Sequence, residues 1–142
     1  MVDNIVLKGI APPFGKKLLY NSKQLFMRKT KHKNIQKGDV WLIGNENAIG
    51  HVQKGIRPHV VVTQVTGETV TVAPCSSARK KSHQKYVIEI MPTKHSGLAV
   101  ISFVLLYQSF AADVSFLQKK IGHLDENEIA RIQIEYIKYV TD

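Results

Sequence analysis

The segment that most constrains the fold is residues 57–74, RPHVVVTQVTGETVTVAP, in which two runs of β-branched residues flank a turn at Gly67. Valine and threonine favour extended backbone, and a glycine between two such runs is typical of a β-hairpin. Arg57 stands at the entrance of the first run and is followed directly by Pro58. Because a guanidinium is rarely buried without a partner, Arg57 should either pair with an acid or face a cleft that receives an anion.

Further short β-type segments surround this hairpin. We expect a strand at Asp39–Ile43, a strand in YVIEI that ends before Pro92, and one bent strand or two in residues 98–110, LAVISFVLLYQSF. A short helix is expected to follow at Ala111–Lys119. Several strands followed by a helix predict a mainly β (α+β) domain, namely a small antiparallel β-barrel with a C-terminal helix packed on it.

The C-terminal helix has the clearest helical signals. Asp125 and Glu128 have the spacing of a capping box, in which each side chain bonds the other residue's backbone N–H. Apolar residues then recur at helical spacing and should form one face of the helix. These residues are Ile129, Ile132, Tyr136 and Val140.

Positive charge is concentrated at the start of the chain. The formal net charge is +9, and residues 1–37 hold nine of the twenty basic residues but only one of the eleven acids. The basic residues therefore form an N-terminal arm, and the rest of the chain is nearly neutral. Such an arm can bind nucleic acid or an acidic partner, or it can simply be a solubilising tail.

The cysteine content and the hydropathy pattern indicate a cytoplasmic protein without a membrane segment. A single cysteine, Cys75, permits no internal disulfide, which suits a reducing cytosol. The first residues lack the continuous apolar core of a secretory signal. Residues 98–107 are strongly apolar but too few to span a bilayer, so a buried strand or strand pair is expected there.

Several motifs in register resemble the MazF/PemK family of toxins from toxin–antitoxin pairs. They are KGDVWLI and a glycine-containing loop, then GIRPHVVVT, VTVAPCSS, VLLYQ and IGHLDENEI, which together cover roughly Lys37–Val140. The resemblance divides the chain into a basic arm, residues 1–36, and a toxin domain, residues 37–142. It implies an SH3-like barrel of the MazF/PemK/CcdB-like type, a homodimer, and a cognate antitoxin that blocks the RNA groove. It also implies an endoribonuclease that cleaves single-stranded RNA without a metal or other cofactor.

The resemblance assigns catalytic roles to Arg57 and Ser76. The arginine of the family's RP motif matches Arg57 and is expected to point at the scissile phosphate. Attack by a 2′-hydroxyl builds negative charge on a five-coordinate phosphorus, which a planar guanidinium can stabilise. Ser76 matches a hydroxyl that follows the third core strand, with Ser77 as the alternative if the register differs by one. The competing roles are an arginine paired with an acid on the barrel rim and a loop serine bonded to its own backbone.

Two usual carboxylate positions of the family are empty in this chain. Tyr107 precedes Gln108 where many relatives carry an acid, Phe110 replaces a common arginine, and Val52 replaces a loop acid. His51 lies in the loop that relatives fold over RNA, and its imidazole titrates near neutral pH. His51 is therefore the candidate general base, and an exposed loop histidine without a catalytic role is the alternative.

The polar loop SSARKKSHQK places positive charge beside Ser76, where it could follow an RNA backbone. Trp41 and Phe103 could stack on bases, but core packing is their expected role. Cys75 should point away from Ser76 as a core residue, and the histidines form no metal-ligand pattern. The predicted RNA-binding residues are Lys54, Ser77, Arg79, Lys80, Lys81, Lys85 and Gln108.

Two other functions remain compatible with the sequence. A toxin of the same fold could act by binding and inhibiting DNA gyrase, without RNA chemistry. A catalytically weak relative could bind nucleic acid only. The empty carboxylate positions favour these alternatives, whereas Arg57 together with Ser76 favours the ribonuclease.

Overall fold

A computed structural model of the chain describes residues 34–45 and 55–142. Almost all of the basic arm predicted at residues 1–36 lies outside the described residues. So do His51, Lys54 and Val52 in the predicted loop. The division into arm and toxin domain therefore stays a prediction.

Strands dominate the described part of the chain. They are β1 (Asp39–Asn45), β2 (Gly55–Val61), β3 (Thr69–Ser76), β4 (Val87–Ile90), β5 (Ser102–Leu105), β6 (Phe110–Asp113) and β7 (Leu117–His123). Short 3₁₀ turns occupy Arg79–His83, Leu106–Gln108 and Val114–Phe116, and a single α-helix, α1, follows at Glu126–Thr141. The mainly β fold with a C-terminal helix is confirmed.

The strands form one antiparallel sheet with the order β4-β5-β3-β2-β1-β7, and β6 also pairs with β3. The backbone pairing of these described strands does not close into a ring, because β4 and β7 remain at the two ends of the path. The barrel expected from the sequence is thus an open sheet. The first half of β3, residues 69–72, pairs with β6, and its last two residues, Cys75 and Ser76, pair with β5.

The predicted hairpin is confirmed as β2 and β3. Their antiparallel register pairs Val60 with Ala73 and Val61 with Val72. Gly67, in the connection, has a φ of 62°, a left-handed conformation that glycine adopts without steric penalty. The hairpin brings Arg57, at the start of β2, close to the end of β3.

The helix predicted at Ala111–Lys119 is wrong. This segment instead contains most of β6, a 3₁₀ turn and the start of β7. The buried side chains of Ala112, Val114 and Leu117 pack into one hydrophobic cluster, and the two strands gain backbone partners in β3 and β1. Pairing with strands that are distant in sequence outweighs the local helical preference. The apolar segment 98–110 forms parts of two strands separated by a 3₁₀ turn, which was one of the two predicted arrangements.

Alternate residues of β1 and β2 point into two different hydrophobic clusters. Val40 and Val60 belong to the cluster that receives α1, and Ile43 and Val61 belong to the cluster that receives β6 and β7. This alternation is the two-residue period of a strand that is buried on both faces. Trp41 packs in the second cluster and is 8% exposed, so it is a core residue, as expected.

The capping box of α1 is confirmed in both directions. Asp125 accepts a hydrogen bond from the backbone N–H of Glu128, and the Glu128 side chain accepts one from the backbone N–H of Asp125. Ile132 is buried, and Ile129 and Tyr136 pack against the same cluster. Val140 is 58% exposed, so it does not extend this face into the core. In the described part of the chain, no helix has the length and apolar character needed to cross a membrane.

Asp39 is a fully buried carboxylate at the start of β1. It accepts hydrogen bonds from the backbone N–H of Gln36 at 2.8 Å and from Trp41 Nε1 at 3.3 Å. His123 Nδ1 lies 2.7 Å and Lys120 Nζ 3.2 Å from the same carboxylate. The contacts with His123 and Lys120 tie the start of β1 to β7. These contacts give His123 a structural role, and Asp39 is a buried anchor that sequence reasoning missed.

Candidate nucleic-acid interface

Arg57 is held by a backbone carbonyl at the end of β3. Its guanidinium Nη1 donates a hydrogen bond to the carbonyl oxygen of Cys75 across 3.2 Å. Arg57 itself lies in β2, opposite Ile43 of β1, and is half-buried. The sequence predicted a partner acid or an anion cleft for this side chain. One partner that the structure describes is the Cys75 carbonyl, which holds the end of the guanidinium at the end of β3.

Ser76 ends β3 next to this anchored guanidinium. The β2–β3 register pairs His59 with Pro74, and continuing it by two residues places Arg57 opposite Ser76. The Ser76 side chain is 4% exposed, and its Oγ accepts a hydrogen bond from the backbone N–H of Ala78 at 3.1 Å. A serine hydroxyl that accepts this bond still has its own hydrogen to donate. The bond to Ala78 is the local backbone contact named above as the alternative role of Ser76, and the catalytic role of Ser76 stays a prediction.

Cys75 is a buried core residue and is not suited to nucleophilic chemistry. It is 3% exposed and belongs to the cluster beneath α1. Burial away from water raises the pKa of its thiol to about 12, with a smaller opposing effect from the charge of Arg57. The thiol is therefore protonated at neutral pH, and only the backbone carbonyl of this residue contributes to the site.

His59 is a buried, neutral histidine next to Arg57 in β2. Burial lowers its pKa to about 4, the Arg57 backbone bond opposes the shift, and the Arg57 charge adds to it. His59 Nδ1 lies 2.9 Å from the Arg57 carbonyl, and a carbonyl can only accept, so Nδ1 carries the proton. The imidazole packs edge-on against Phe110, with ring centroids 5.7 Å apart. His59 Nε2 has no hydrogen-bond partner in the described structure.

The predicted basic loop contains a 3₁₀ turn at Arg79–His83, in which no residue is buried. Lys81 Nζ lies 3.5 Å from Tyr107 Oη, and the same hydroxyl donates to Gln84 Oε1. Lys85 Nζ lies 5.6 Å above the ring centre of Tyr86. These contacts order a loop that charge alone would leave extended, and they make Tyr107 a link between the loop and the Leu106–Gln108 turn.

Tyr86 connects the basic loop to β4 in an uncommon backbone conformation. Its φ is 62°, which non-glycine residues rarely adopt. The phenol donates to Asp142 at 2.8 Å, and this hydrogen bond is the main reason that the pKa of Tyr86 is raised. Its carbonyl also accepts from the backbone N–H of Leu106. The loop is therefore fixed at its far end by contacts to Asp142, which caps the C-terminus of α1, and to the segment that carries Tyr107 and Gln108.

An open cavity of about 330 Å³ lies next to Ser76. Ser76 pairs with Phe103 across β3 and β5, and Phe103 lines the cavity. The residues that line it are Ser77, Arg79, Val100, Ile101 and Phe103. The cavity thus combines an apolar wall with one hydroxyl and one guanidinium.

The structure brings together part of the predicted site. Ser77 and Arg79 line the cavity beside Ser76, while Gln108 lies in a 3₁₀ turn that packs against β3. The candidate base His51 and the predicted RNA ligand Lys54 lie outside the described residues. The further predicted RNA ligands Lys80, Lys81 and Lys85 follow along the surface loop.

Sequence reasoning missed Val100 and Ile101 as site residues. Both belong to the uncharged segment that was interpreted only as buried strand. Val100 is in fact 52% exposed and stands just before β5. The structure places a bend at residues 99 and 100, and the apolar sequence around them does not signal it.

A second group of polar side chains lies at the start of α1. Among residues 34–45 and 55–142, His95, Asp125 and Glu128 are the group whose ligand atoms lie within 4.8 Å of one another. His95 Nε2 is 3.1 Å from Glu128 Oε1 and 3.8 Å from Asp125 Oδ2. Both carboxylates already accept backbone N–H bonds of the capping box, and the helix N-terminus favours anions over cations. Helix capping therefore accounts for this group without a metal.

The open antiparallel sheet with a C-terminal helix, the arginine anchored at a strand end and the basic loop together describe a small β-domain with exposed positive charge near the end of β3. The family model for the PemK-like, MazF-like toxin of type II toxin–antitoxin systems matches residues 36–138. The chain belongs to this family. The family resemblance inferred from the sequence motifs is thus confirmed.

Solved structures share the fold. MazF (Form-I) from Deinococcus radiodurans is 19% identical and has a TM-score of 0.61; the match covers 76% of this chain and 97% of that one. MazF-mt6 from Mycobacterium tuberculosis is 17% identical and has a TM-score of 0.57; the match covers 72% and 95% of the two chains.

A third solved structure is an endoribonuclease in complex with its cognate antitoxin from a mycobacterial species. It is 13% identical and has a TM-score of 0.58, and the match covers 75% of this chain and 94% of that one. At these identities, the likenesses establish the fold alone. No curated protein sequence matches the chain significantly.

Proposed function

We propose that this chain is a toxin that cleaves single-stranded RNA by attack of a 2′-hydroxyl, without a metal or other cofactor. The observation that carries the proposal is the guanidinium of Arg57, anchored on the Cys75 carbonyl beside the end of β3. Family membership and the endoribonuclease named among the structural neighbours support the same reaction. RNA of this kind, a cognate antitoxin and a second copy of the chain are the proposed partners, in the cytoplasm.

In the proposed reaction, the 2′-oxygen of one nucleotide attacks the adjacent phosphorus. The bond from the 2′-oxygen to phosphorus forms while the bond from phosphorus to the 5′-oxygen breaks. A base takes the proton of the 2′-hydroxyl, and the leaving 5′-oxygen receives a proton from water. The products are a 2′,3′-cyclic phosphate and a 5′-hydroxyl, and no redox partner is needed.

Arg57 and Ser76 would act on the phosphate. The guanidinium is permanently charged, and its anchor at Cys75 keeps it from turning away from the strand end. A fixed positive group stabilises the charge that develops on phosphorus better than a mobile one, because it needs no reorganisation. The Ser76 hydroxyl would donate its hydrogen to a phosphate oxygen while its own oxygen stays bonded to Ala78 N–H.

The cavity next to Ser76 would hold the base of a nucleotide beside the scissile phosphate. Its volume of about 330 Å³ lies at the lower end of the range for small-molecule sites, roughly 300–1,000 Å³. The apolar wall at Val100 and Ile101 suits the face of a base, and Arg79 can stack on it or pair with a phosphate. The basic loop would continue along the RNA backbone.

His51 is the proposed general base, on sequence grounds. A base must be neutral to act, so cleavage should fall at low pH with the titration of His51. Replacement of His51 by alanine should slow cleavage by about 10²–10⁴ and remove this acidic limb of the pH–rate profile. A His51→Ala protein with the wild-type rate and an unchanged acidic limb would exclude His51 as the base.

The proposed function is tested on mixed single-stranded RNA in the presence of EDTA. We expect cleavage, with a 2′,3′-cyclic phosphate identified by mass spectrometry and a 5′-hydroxyl that polynucleotide kinase can label. Arg131→Ala is the matched control for Arg57→Ala. Arg131, in α1, also donates a hydrogen bond to a backbone carbonyl, that of Glu89 at 3.3 Å. Absence of cleavage, or cleavage that chelation abolishes, would contradict the proposal.

A further inference from the structure

We propose that Pro58 is a positioning residue, which places Arg57 by withholding a backbone N–H from the Cys75 carbonyl. The role in catalysis rests on the function proposed above. The placement of the side chain does not depend on it and has its own test. Pro58 follows Arg57 directly and lies in β2, where it pairs with Leu42 of β1.

The direction of the backbone bonds in β2 alternates along the strand. The N–H of Val62, just past the end of β2, donates to the carbonyl of Thr71 at 2.9 Å, so this residue bonds towards the β3 side. The carbonyl of Val61 accepts from Gly38, so the odd-numbered neighbour bonds towards the other side. Residues 60 and 58 therefore share the direction of Val62, because bonding direction repeats every second residue.

The same register identifies the partner that residue 58 would have. Val60 pairs with Ala73, and two residues further the partner of position 58 is Cys75. An ordinary residue at position 58 would donate its N–H to the Cys75 carbonyl. Proline has no N–H, so this bond of the ladder cannot form.

Arg57 fills the vacated position. Nη1 of its guanidinium donates to the Cys75 carbonyl at 3.2 Å, in place of the missing backbone donor. A carbonyl at a buried residue needs a donor, so the absence of the Pro58 N–H favours the arginine in this orientation. The arginine and the proline therefore work as a pair: Pro58 leaves the Cys75 carbonyl without a backbone donor, and the preceding Arg57 supplies a side-chain donor.

The main chain of Arg57 is fixed as well. His59 Nδ1 bonds the Arg57 carbonyl at 2.9 Å, and Pro58 restricts the preceding residue to extended geometry. The Arg57 side chain is therefore fixed at both ends, by the hydrogen bond to its backbone carbonyl and by the hydrogen bond from its guanidinium Nη1. Such preorganisation matters, since a displacement of about 1 Å can slow a reaction by roughly 10²-fold.

The test is Pro58→Ala, which adds a backbone N–H opposite the Cys75 carbonyl. We expect this N–H to replace Arg57 as donor, so that kcat for RNA cleavage falls by about 10–10²-fold while KM changes less than about twofold. Pro92→Ala, in an exposed loop, is the control for loss of a proline and should leave kcat unchanged. A Pro58→Ala protein with wild-type kcat would overturn the proposal.

A double-mutant cycle separates positioning from a general structural effect. If Pro58 acts through Arg57, then Arg57→Ala and the double variant Arg57→Ala, Pro58→Ala should cleave at the same rate. Multiplicative losses in the double variant would mean that Pro58 acts independently of Arg57. Replacement of Pro58 by N-methylalanine, which also lacks the N–H, should restore the wild-type rate, and failure to do so would assign the effect to the proline ring.

A spectroscopic measurement keeps the placement testable even if no variant cleaves RNA. In Pro58→Ala, the amide of residue 58 should exchange slowly with deuterium, and the guanidinium ¹⁵N signals of Arg57 should show faster side-chain motion than in the parent protein. A rapidly exchanging amide at position 58, or unchanged Arg57 motion, would refute the placement. Inactive protein with the expected spectra would refute only the proposed function.

Discussion

The guanidinium Nη1 of Arg57 and the carbonyl oxygen of Cys75 lie 3.2 Å apart, joined by a hydrogen bond between side chain and backbone across the β2–β3 hairpin. This contact spares the charge of the arginine, because a carbonyl accepts a hydrogen bond without neutralising its donor. It also places that charge beside Ser76, the last residue of β3, the strand that contains Cys75. The expected behaviour of the protein follows from this contact and from the buried groups around it.

Arg57→Ala should slow RNA cleavage by about 10²–10³, the loss that follows removal of a single fixed donor to a developing oxyanion. Arg57→Lys should recover little of the rate, because one ammonium cannot hold the carbonyl and the phosphate in the fork geometry of a guanidinium. Single-turnover rates with saturating enzyme measure this loss without interference from product release. If Arg57→Lys cleaves like the parent protein, a point charge suffices and the geometric argument fails.

Filling the cavity beside Ser76 should change the base preference of cleavage. Val100→Trp places a bulky ring in the space bounded by Ser77 and Phe103. We expect the preference at one position next to the cleaved bond to weaken by about tenfold, the effect of about 1.4 kcal/mol of lost binding. Sequencing of the products from a randomised RNA measures this preference.

Val65→Trp is the control for the cavity variant, because Val65 is also an exposed valine but does not line the cavity. Its cleavage pattern should match that of the parent protein. An unchanged pattern in Val100→Trp would show that no base binds in the cavity.

The buried histidine should make the fold sensitive to acid. Burial lowers the pKa of His59 to about 4, below its unfolded value of about 6.5, so the unfolded chain binds the proton first. The neutral histidine therefore contributes its full stability above pH 6.5, and this contribution is lost as the pH falls from about 6.5 to about 4. The loss amounts to about 3 kcal/mol at most, and urea unfolding at several pH values measures it.

His59→Gln removes the titrating group and should flatten the pH dependence of stability in this range. Phe110→Ala opens the edge of the imidazole to water, so the NMR titration of His59 should move towards neutral pH. His83→Gln, at an exposed position, is the matched control. A His59→Gln protein whose stability falls as steeply as the parent's between pH 6.5 and 4 would assign the acid sensitivity to other groups.

Asp39→Ala should destabilise the protein by about 1.5–3 kcal/mol, the usual contribution of hydrogen bonds to a charged group, because the partners left behind at Lys120 and His123 are partly exposed. The substitution removes the carboxylate that accepts from Trp41 Nε1 and that lies against His123 and Lys120. Thermal or urea unfolding measures the loss. Glu126→Ala, an exposed acid in the first turn of α1, should lose less than about 1 kcal/mol. Equal losses in the two variants would mean that the Asp39 contacts add little stability.

Local chemistry explains what could be predicted from the sequence. Alternating β-branched residues around Gly67 specify the hairpin, and Asp125 with Glu128 specifies the start of α1, because each signal acts within a few residues. The ordered motifs also led to the correct family. The prediction failed at Ala111–Lys119, where the strand conformation depends on pairing with β3 and β1 rather than on local preference.

The sequence by itself determined the hairpin, the C-terminal helix and the residue types available for phosphate chemistry. Only the tertiary structure decided which groups meet. Arg57 and Cys75 are 18 residues apart, and Asp39 and His123 are 84 apart, so no spacing rule along the chain connects either pair. The register of the sheet places the Cys75 carbonyl opposite Pro58, which has no N–H to donate to it. That register is set by the packing of both faces of β2 against the two hydrophobic clusters.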